Sequence, residues 1–308
     1  MTTMFDRSAP LITIILLCYN QHKFVAEAVN GVLAQTYSPL EILIFDDCST
    51  DQTAQIIERT LAEHPPRSDV RFIRNPRNMH SNLVVRMALG MAKGAFIFVS
   101  HGDDVMLPEM VAEMANVWIK EGVSLVAANA YYIDENSEPL HRTYRDPDQP
   151  ADDSFEALAR DGSNACCFGP AIGFERAIPE KFGWVPRELG AYDIMYPFYA
   201  YLLKGARFIN KPLLKYRVHG QNTSLSLRVE RSDGVDRLKA EHRIYIGHIL
   251  HAVLMEQELD KLLAEAPERY APVSARIKPL LAIQRAEMAN KLLGVSRQLA
   301  ALAPATPR

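Results

Sequence analysis

Five short apolar runs, separated by stretches with helical spacing, constrain the fold of this chain more than any other feature. The first run, residues 11–17 (LITIILL), is continuously apolar rather than alternating. Continuous hydrophobicity indicates a strand that is buried on both faces, as in a parallel sheet covered by helices. The other runs are residues 41–45, 70–73, 95–99 and 124–130. Because helical stripes separate them, residues 11–130 predict an α/β fold with a doubly wound parallel sheet.

Two pairs of carboxylates follow predicted strands directly. Asp46 and Asp47 come after the second strand, and Asp103 and Asp104 come after the fourth. Open α/β sheets bind ligands at the carboxyl ends of their strands. Adjacent carboxylates repel each other, and a divalent cation relieves the repulsion. Asp103 and Asp104 therefore predict a Mg²⁺ or Mn²⁺ site that binds a diphosphate, with an acidic helix N-cap as the alternative.

The carboxylates after the second strand have a different predicted partner. Asp46 and Asp47 can accept hydrogen bonds from a nucleotide base or from a ribose hydroxyl. The alternative is helix capping, a role that Ser49, Thr50 and Asp51 can also fill. Capping accounts for one or two of these residues and leaves the Asp46–Asp47 pair for nucleotide contact.

Composition excludes several classes of protein. The formal net charge is −3, so no global basic field favours nucleic acid. The four cysteines have no CxxC spacing, which suits small buried thiols in a reducing compartment. The first residues lack a basic region before an apolar core, and no apolar run approaches the ~20 residues of a membrane span. We therefore expect a cytoplasmic protein with no signal peptide and no transmembrane segment.

The later chain is less regular. Residues 131–145 predict a hairpin with a turn near Asn136 and Ser137, and residues 194–203 predict a helix. Small residues around Gly169 and Pro170 give no clear element, and we expect them to line a pocket or to form a mobile lid. Short strands are predicted at 208–209 and 213–218. After about Leu227 the apolar spacing becomes helical throughout.

Several of these motifs resemble one enzyme family. Residues 13–20 (TIILLCYN), 35–37 (QTY), 46–51 (DDCSTD) and 92–104 (AKGAFIFVSHGDD) look like the inverting family-2 glycosyltransferases. Residues 192–194 (YDI) and 216–224 (YRVHGQNTS) resemble two later elements of that family. The resemblance covers residues 10–225. It implies a GT-A fold, which is Rossmann-like with a mostly parallel sheet flanked by helices. It also implies a glycosyltransferase domain over residues 1–227 and a C-terminal helical extension over residues 228–308.

The resemblance also implies how a donor would bind. Tyr19 and Asp47 would contact the base of a nucleoside-diphosphate sugar, with Asp46 in support. Asp103 would contact the ribose and the metal. The metal, Mn²⁺ or Mg²⁺, would bridge the diphosphate.

The remaining implied roles concern metal binding and catalysis. Asp104 and His219 would complete the metal site with Asp103. Asp193 would be the general base that deprotonates the acceptor hydroxyl, with a helix cap as its alternative reading. For His219 the alternative is a hydrogen-bonded loop histidine.

The implied acceptor is a glycan or lipid-linked glycan of a surface polysaccharide such as O-antigen, capsule or lipopolysaccharide. Such an acceptor is compatible with peripheral contact between the protein and the inner face of the membrane. The C-terminal helices are expected to pack on the catalytic domain or to form a homodimer, because their polar positions mix both charge signs. A membrane-surface role is the third option.

Three positions depart from the family pattern. His101 replaces the first carboxylate of the usual metal loop, and imidazole ligates Mn²⁺ better than Mg²⁺. Tyr192 replaces the glutamate that often precedes the base, and Arg86 begins the segment that replaces the usual Asn-x-Gly. We consider His101, Arg86 and Arg217 weaker candidates for contact with phosphate.

Rival functions predict other motifs. A nucleotidylyltransferase would carry a glycine-rich basic loop after the first strand, and residues 18–23 contain no glycine. A nicotinamide dehydrogenase would carry G-x-G-x-x-G there, and that motif is absent from the sequence at this point. A scaffold that binds a nucleotide sugar without transferring it stays an alternative, because a fold does not guarantee an activity.

Overall fold

The structure is a computed structural model, and it describes residues 9–162, 169–183, 192–222, 229–230 and 232–302. Its strands are β1 Ile12–Cys18, β2 Leu40–Asp46, β3 Val70–Arg74, β4 Phe96–His101, β5 Val105–Met106, β6 Leu125–Ile133, β7 Pro139–Thr143, β8 Ile172–Glu175 and β9 Ala206–Arg217. Its helices are α1 Val25–Leu33, α2 Thr53–Ala62, α3 His80–Met91, α4 Met110–Glu121, α5 Phe155–Asp161, α6 Ala177–Phe182, α7 Tyr192–Leu203, α8 Gly234–Glu265 and α9 Pro267–Leu302. All five strands predicted within residues 11–130 are present, shifted by one to three residues at their ends.

One mixed sheet organises the described chain, in the order β3-β2-β1-β4-β8-β6-β9-β5, and β7 pairs with β6. Strands β3, β2, β1 and β4 are parallel neighbours, and so are β6 and β9. Strand β8 runs antiparallel between β4 and β6. The prediction of a mostly parallel sheet flanked by helices is therefore confirmed. Strand β6, the fifth predicted strand, runs in the same direction as β4 but is separated from it by the antiparallel β8, which the sequence does not predict.

Helices cover both faces of the sheet, as the continuous apolar strands require. On β1 the side chains of Ile12, Ile14 and Leu16 belong to the cluster that packs under α1 and α4. Ile15 and Leu17 belong to the cluster on the opposite face, with α3, α5, α7 and the C-terminal helices. Burial on both faces explains why this strand shows no polar alternation.

The later segments partly match their predictions. The hairpin is confirmed as β6 and β7, with Ser137 at a positive φ of 67° in the turn. The two predicted short strands form one strand, β9, with shifts in its register against β6 near Asn129. The segment from Gly169 forms a 3₁₀ turn, Gly169–Ala171, followed by β8. Residues 163–168 lie outside the described part of the chain, so the expected pocket lining or lid stays a prediction.

The C-terminal helices α8 and α9 pack against the sheet and the helices that cover it. Met255, Leu259 and Leu281 are at most 3% exposed and share one apolar cluster with the sheet. The predicted packing is therefore confirmed, whereas the homodimer and the membrane contact stay predictions. The predicted domain boundary at residues 227 and 228 lies outside the described residues. Over the part of the chain that the structure describes, no helix is long and apolar enough to cross a membrane.

Candidate functional site

The carboxyl ends of three strands bring the predicted polar residues to one edge of the sheet. Two backbone bonds fix this edge: the amide of Asp47 donates to the carbonyl of Cys18 at 2.9 Å, and the amide of Gly102 donates to Leu17 at 2.8 Å. The loops after β1, β2 and β4 are therefore adjacent. This is the edge at which open α/β sheets bind ligands.

Asp47 is held by groups that follow β3. Its carboxylate accepts from the Asn75 side-chain amide at 2.8 Å and from the Met79 backbone amide at 2.9 Å. Only 6% of Asp47 is exposed. Two donors thus orient the carboxylate. Its contact with a nucleotide base stays a prediction.

Asp46 is fully buried behind Asp47. One of its carboxylate oxygens accepts from the Ser49 amide at 3.2 Å. Its other oxygen, Oδ1, is buried with no hydrogen-bond partner among the described residues. Burial, together with the charges of Asp46 and Asp103, raises the pKa of the nearby Cys18 thiol, which is therefore a neutral group under the site.

The capping alternative applies to Asp51 rather than to the aspartate pair. Asp51 Oδ1 accepts from the backbone amide of Thr53 at 2.9 Å and from its hydroxyl at 2.5 Å. Asp51 Oδ2 lies 2.7 Å from Nδ1 of His22. Burial raises the pKa of Asp51, but these hydrogen bonds outweigh it and lower the pKa overall. Asp51 lies one residue before Gln52, the N-cap of α2, and its carboxylate satisfies the amide of the first helical residue, so it supports the start of the helix without being the cap itself.

The loop after β4 approaches the loop after β9. Oδ2 of Asp103 lies 3.1 Å from Nε2 of His219, and the two side chains are 17% and 7% exposed. The amide of Gln221 donates to His219 Nδ1 at 3.3 Å. In the neutral imidazole the proton is therefore on Nε2, which donates to Asp103. Residues 116 positions apart in the sequence meet here, as the predicted shared site requires.

The pKa values of the two carboxylates in this loop are shifted in opposite directions. Burial raises the pKa of Asp103, but the hydrogen bond from His219 and the nearby His101 outweigh it and lower the pKa. Burial and the charge of Asp103 raise the pKa of Asp104 well above its usual value. Asp104 is 2% exposed, and its Oδ1 accepts from the Arg217 amide at 3.0 Å. Its role as a metal ligand stays a prediction.

The weaker phosphate candidates have different environments. Arg217 is fully buried, and each of its guanidinium nitrogens donates to a protein group, which leaves no open surface for a phosphate. Arg86 is exposed on α3. His101 ends β4 and is partly buried, and burial lowers its pKa although Asp103 raises it.

Two further predicted residues are only partly located. Tyr19 is 44% exposed at the end of β1, and its amide donates to Gln21 Oε1 at 3.2 Å. Asp193 belongs to the first turn of α7, and its side chain lies outside the described residues. The structure thus brings together Asp46, Asp47 and the Asp103–His219 pair, and it leaves the predicted position of the Asp193 carboxylate untested.

Comparison with known proteins identifies the family. The sequence model of glycosyl transferase family 2 matches residues 13–183, which is more than half of the chain and includes β1, β4 and the acidic loops. The chain belongs to glycosyl transferase family 2.

Other glycosyltransferases are similar along most of this chain. An uncharacterised glycosyltransferase of Nostoc, alr2836, is 27% identical over 220 residues, which are 70% of this chain and 67% of the relative. The solved structure of S. aureus TarS 1–349 with UDP-GlcNAc has a TM-score of 0.58 at 16% identity, covering 94% of this chain and 91% of that one. The mannosyltransferase PcManGT of Pyrobaculum calidifontis, solved with GDP-Man and Mn²⁺, has a TM-score of 0.59 at 19% identity, covering 98% and 77%. These structural likenesses support the GT-A fold.

The candidate metal ligands of this glycosyltransferase fit a divalent cation whose other ligands come from a diphosphate. Within the described ranges, no group of three or more His, Cys, Asp or Glu is arranged to hold a metal. Asp103 and His219 nevertheless supply a carboxylate and an imidazole within 3.1 Å of each other. Mg²⁺ and Mn²⁺ sites commonly combine one or two carboxylates with water and substrate phosphates, and imidazole favours Mn²⁺.

Sequence reasoning missed the residues that support this site in the glycosyltransferase. Asn222 accepts from the His219 amide at 2.5 Å and donates to the Arg217 carbonyl at 3.0 Å, so it shapes the loop after β9. Asn75 orients the Asp47 carboxylate through its side-chain amide. For Asn75 the available signal was its position directly after β3, whereas Asn222 lies five residues beyond β9 in a loop, where asparagine commonly bonds nearby backbone.

Proposed function

We propose that this glycosyltransferase moves a sugar, with inversion, from a nucleoside-diphosphate sugar to an acceptor hydroxyl, and that it requires Mn²⁺ or Mg²⁺. The contact between Asp103 and His219 carries the proposal. It places a carboxylate and an imidazole at the sheet edge that also holds Asp46 and Asp47. Such an edge suits a ligand with both a base and a diphosphate.

The donor is proposed to span the edge from β2 to β4. Asp47, oriented by Asn75, accepts from the nucleotide base, and the exposed Tyr19 ring contacts the same base. Asp46 supports Asp47 from beneath. Asp103 lies nearer the diphosphate and the ribose.

Asp103 and His219 are the residues proposed to hold the cation, with Asp104 as an additional ligand. A divalent cation bound there offsets the negative charge that the leaving diphosphate develops. Asp103 is suited to this role because its lowered pKa keeps the carboxylate ionised. For Nε2 of His219 to serve as a ligand, the neutral imidazole would carry its proton on Nδ1, and the Gln221 amide that now donates to Nδ1 would turn away from it.

Asp193 is proposed to take the proton of the acceptor hydroxyl as that oxygen attacks the anomeric carbon. A carboxylate in this role must approach the hydroxyl to within ~3 Å. The acceptor is proposed to be a glycan or lipid-linked glycan of surface-polysaccharide assembly. Residues 1–227 would carry the reaction, and residues 228–308 would extend the enzyme beyond it.

The experiment is a donor panel with a matched pair of variants. UDP-, GDP- and dTDP-sugars are incubated with MnCl₂ and a lipid-linked glycan, and nucleoside diphosphate release is measured with and without chelator. Asp103→Asn should abolish the metal-dependent release, whereas Asp148→Asn, in the exposed loop after β7, should not change it. The anomeric configuration of the product, measured by NMR, tests inversion. Release that is unaffected by chelator or by Asp103→Asn would contradict the proposal.

A further inference from the structure

Arg217 is a fully buried arginine at the end of β9. Its Nε donates to the backbone carbonyl of Asp103 at 2.9 Å, and its Nη1 donates to the Asp134 carbonyl at 3.1 Å and to Ser137 Oγ at 2.8 Å. Its Nη2 lies 3.1 Å from Glu27 Oε2. One guanidinium thus joins the loop after β4, the β6–β7 turn and α1. We call Arg217, Glu27, Asp134 and Ser137 the Arg217 network.

The backbone of Arg217 also forms hydrogen bonds with the loops after β4 and β9. Its amide donates to Asp104 Oδ1 at 3.0 Å, and its carbonyl accepts from the Asn222 side chain at 3.0 Å. Asn222 in turn accepts from the amide of His219. The Arg217 side chain therefore fixes the Asp103 backbone, while its main chain leads directly into the loop that carries His219.

Phe24 contacts both the guanidinium and the imidazole. The Arg217 Cζ atom lies 4.8 Å from the centre of the Phe24 ring, and the His219 ring centre lies 4.8 Å from the same point. This ring contact limits the movement of His219. Any shift of Arg217 would therefore reach His219 through the ring and Asp103 through the carbonyl.

We propose that Arg217 is a positioning residue that holds Asp103 and His219 at the separation needed to bind a metal–diphosphate, and that Glu27 and Ser137 hold its guanidinium in place. This inference rests on the proposed function. A buried charge must be paired, and it orders the groups that pair it. Ser137 bonds both Arg217 and Glu27, with 2.7 and 2.9 Å to the two Glu27 oxygens, so the hairpin turn completes the pairing.

The test separates positioning from stability. Ser137→Ala removes the hydrogen bond from Arg217 Nη1 and the bond from the serine hydroxyl to Glu27. Its matched control is Ser68→Ala, at an exposed serine before β3. Arg217→Lys keeps the charge but cannot reach all four acceptors, and its control is Arg207→Lys, at an exposed arginine on the same strand that pairs with Glu121. Calorimetry measures the affinity for UDP, GDP and dTDP with and without MnCl₂, and thermal unfolding is followed in parallel.

We expect Ser137→Ala to weaken the Mn²⁺-dependent nucleotide affinity by about two- to tenfold, the worth of the one hydrogen bond that the Arg217 guanidinium itself loses. The metal-free affinity should match that of Ser68→Ala, and thermal unfolding should show both variants folded at the temperature of the calorimetry. Arg217→Lys should lose more of the Mn²⁺-dependent increment than Ser137→Ala, and Arg207→Lys should lose none. If Arg217→Lys does not fold, Ser137→Ala alone decides the outcome.

Two results would overturn the proposal in distinguishable ways. Wild-type Mn²⁺-dependent affinity in a folded Ser137→Ala variant removes the positioning role and leaves the proposed function intact. Absence of any Mn²⁺-dependent nucleotide binding in the wild-type enzyme removes the proposed function, and the positioning role with it.

Discussion

Gly173 of β8 lies directly against the ring of Phe96 in β4. A Cβ atom added to Gly173 would lie 2.4 Å from a ring carbon of Phe96 and 2.8 Å from a ring carbon of Phe98. Both rings are buried in the core. The antiparallel strand in the middle of this sheet therefore depends on a residue with no side chain.

Gly173→Ala should destabilise the protein by about 1–3 kcal/mol, the usual cost of adding a methyl group to a packed core. Denaturant unfolding measures the effect. Gly90→Ala in α3 is the control, because nothing lies within 4 Å of its added Cβ and alanine favours a helix by up to about 1 kcal/mol. Equal stability of the two variants would show that the rings move aside at no cost.

Asp193→Asn should lower the transfer rate by about 10²–10⁴-fold, the usual contribution of a general base. The nucleotide-sugar affinity should stay nearly unchanged, because the donor is proposed to bind at the ends of β2 and β4. Single-turnover kinetics and calorimetry separate the two effects. Full transfer by this variant would reject Asp193 as the base.

Glu175 should make folding stability fall in acid. Burial raises its pKa, but hydrogen bonds from Lys204, Trp118 and Ser124, at 2.8, 3.0 and 2.8 Å, outweigh burial and hold the pKa below its usual value. A carboxylate with a lowered folded pKa stabilises the protein above the unfolded pKa of about 4.3. This stabilisation is lost as the pH falls from that value through the folded pKa.

Glu175→Gln should therefore destabilise the protein by about 1–2 kcal/mol at pH 7. The difference from wild type should shrink below about pH 4, where the wild-type carboxylate also becomes protonated. Urea unfolding at a series of pH values gives both numbers. Glu63→Gln, at an exposed glutamate after α2, should show no such trend. A difference that does not depend on pH would contradict the role of the Glu175 charge.

Leu281→Ala in α9 should destabilise the protein by about 2–5 kcal/mol, because Leu281 is fully buried in the cluster that the C-terminal helices share with the sheet. Leu293→Ala in the same helix, at a residue that is 50% exposed, should cost much less. Calorimetry should show Leu281→Ala shifting the main unfolding transition. A separate early transition that leaves the main one unchanged would mean that the helices unfold independently.

The strands in the first half of the chain were predictable because the apolar run of each strand identifies it without reference to the rest of the chain. The run at residues 11–17 is apolar at every position, and a strand buried on both faces needs nothing more. Strand β8 has four residues, Ile172–Glu175, and one of them is Gly173. Its place between β4 and β6 depends on the fit of two phenylalanine rings, which no local pattern in the sequence encodes.

The acidic loops of the site were predictable from the sequence. The residues that hold these loops in place were not. Asp46, Asp47, Asp103 and Asp104 follow strands that the sequence reveals, and strands end at a shared edge. The sequence alone makes Arg217 a weak phosphate candidate, because an arginine close to a predicted ligand site is a possible phosphate contact. In the structure Arg217 is buried among residues that are distant in the sequence, and this burial excludes contact with a phosphate.

The sequence by itself determined the alternation of buried strands and helices, the acidic loops and the family, because local hydrophobic period and short motifs carry that information. The tertiary structure alone decided that β8 enters the sheet antiparallel, that Asp103 meets His219, and that Arg217 is paired with Glu27 and Ser137. These contacts join residues 116, 190 and 80 positions apart in the sequence. Their geometry follows from the packing of the whole sheet rather than from any local segment.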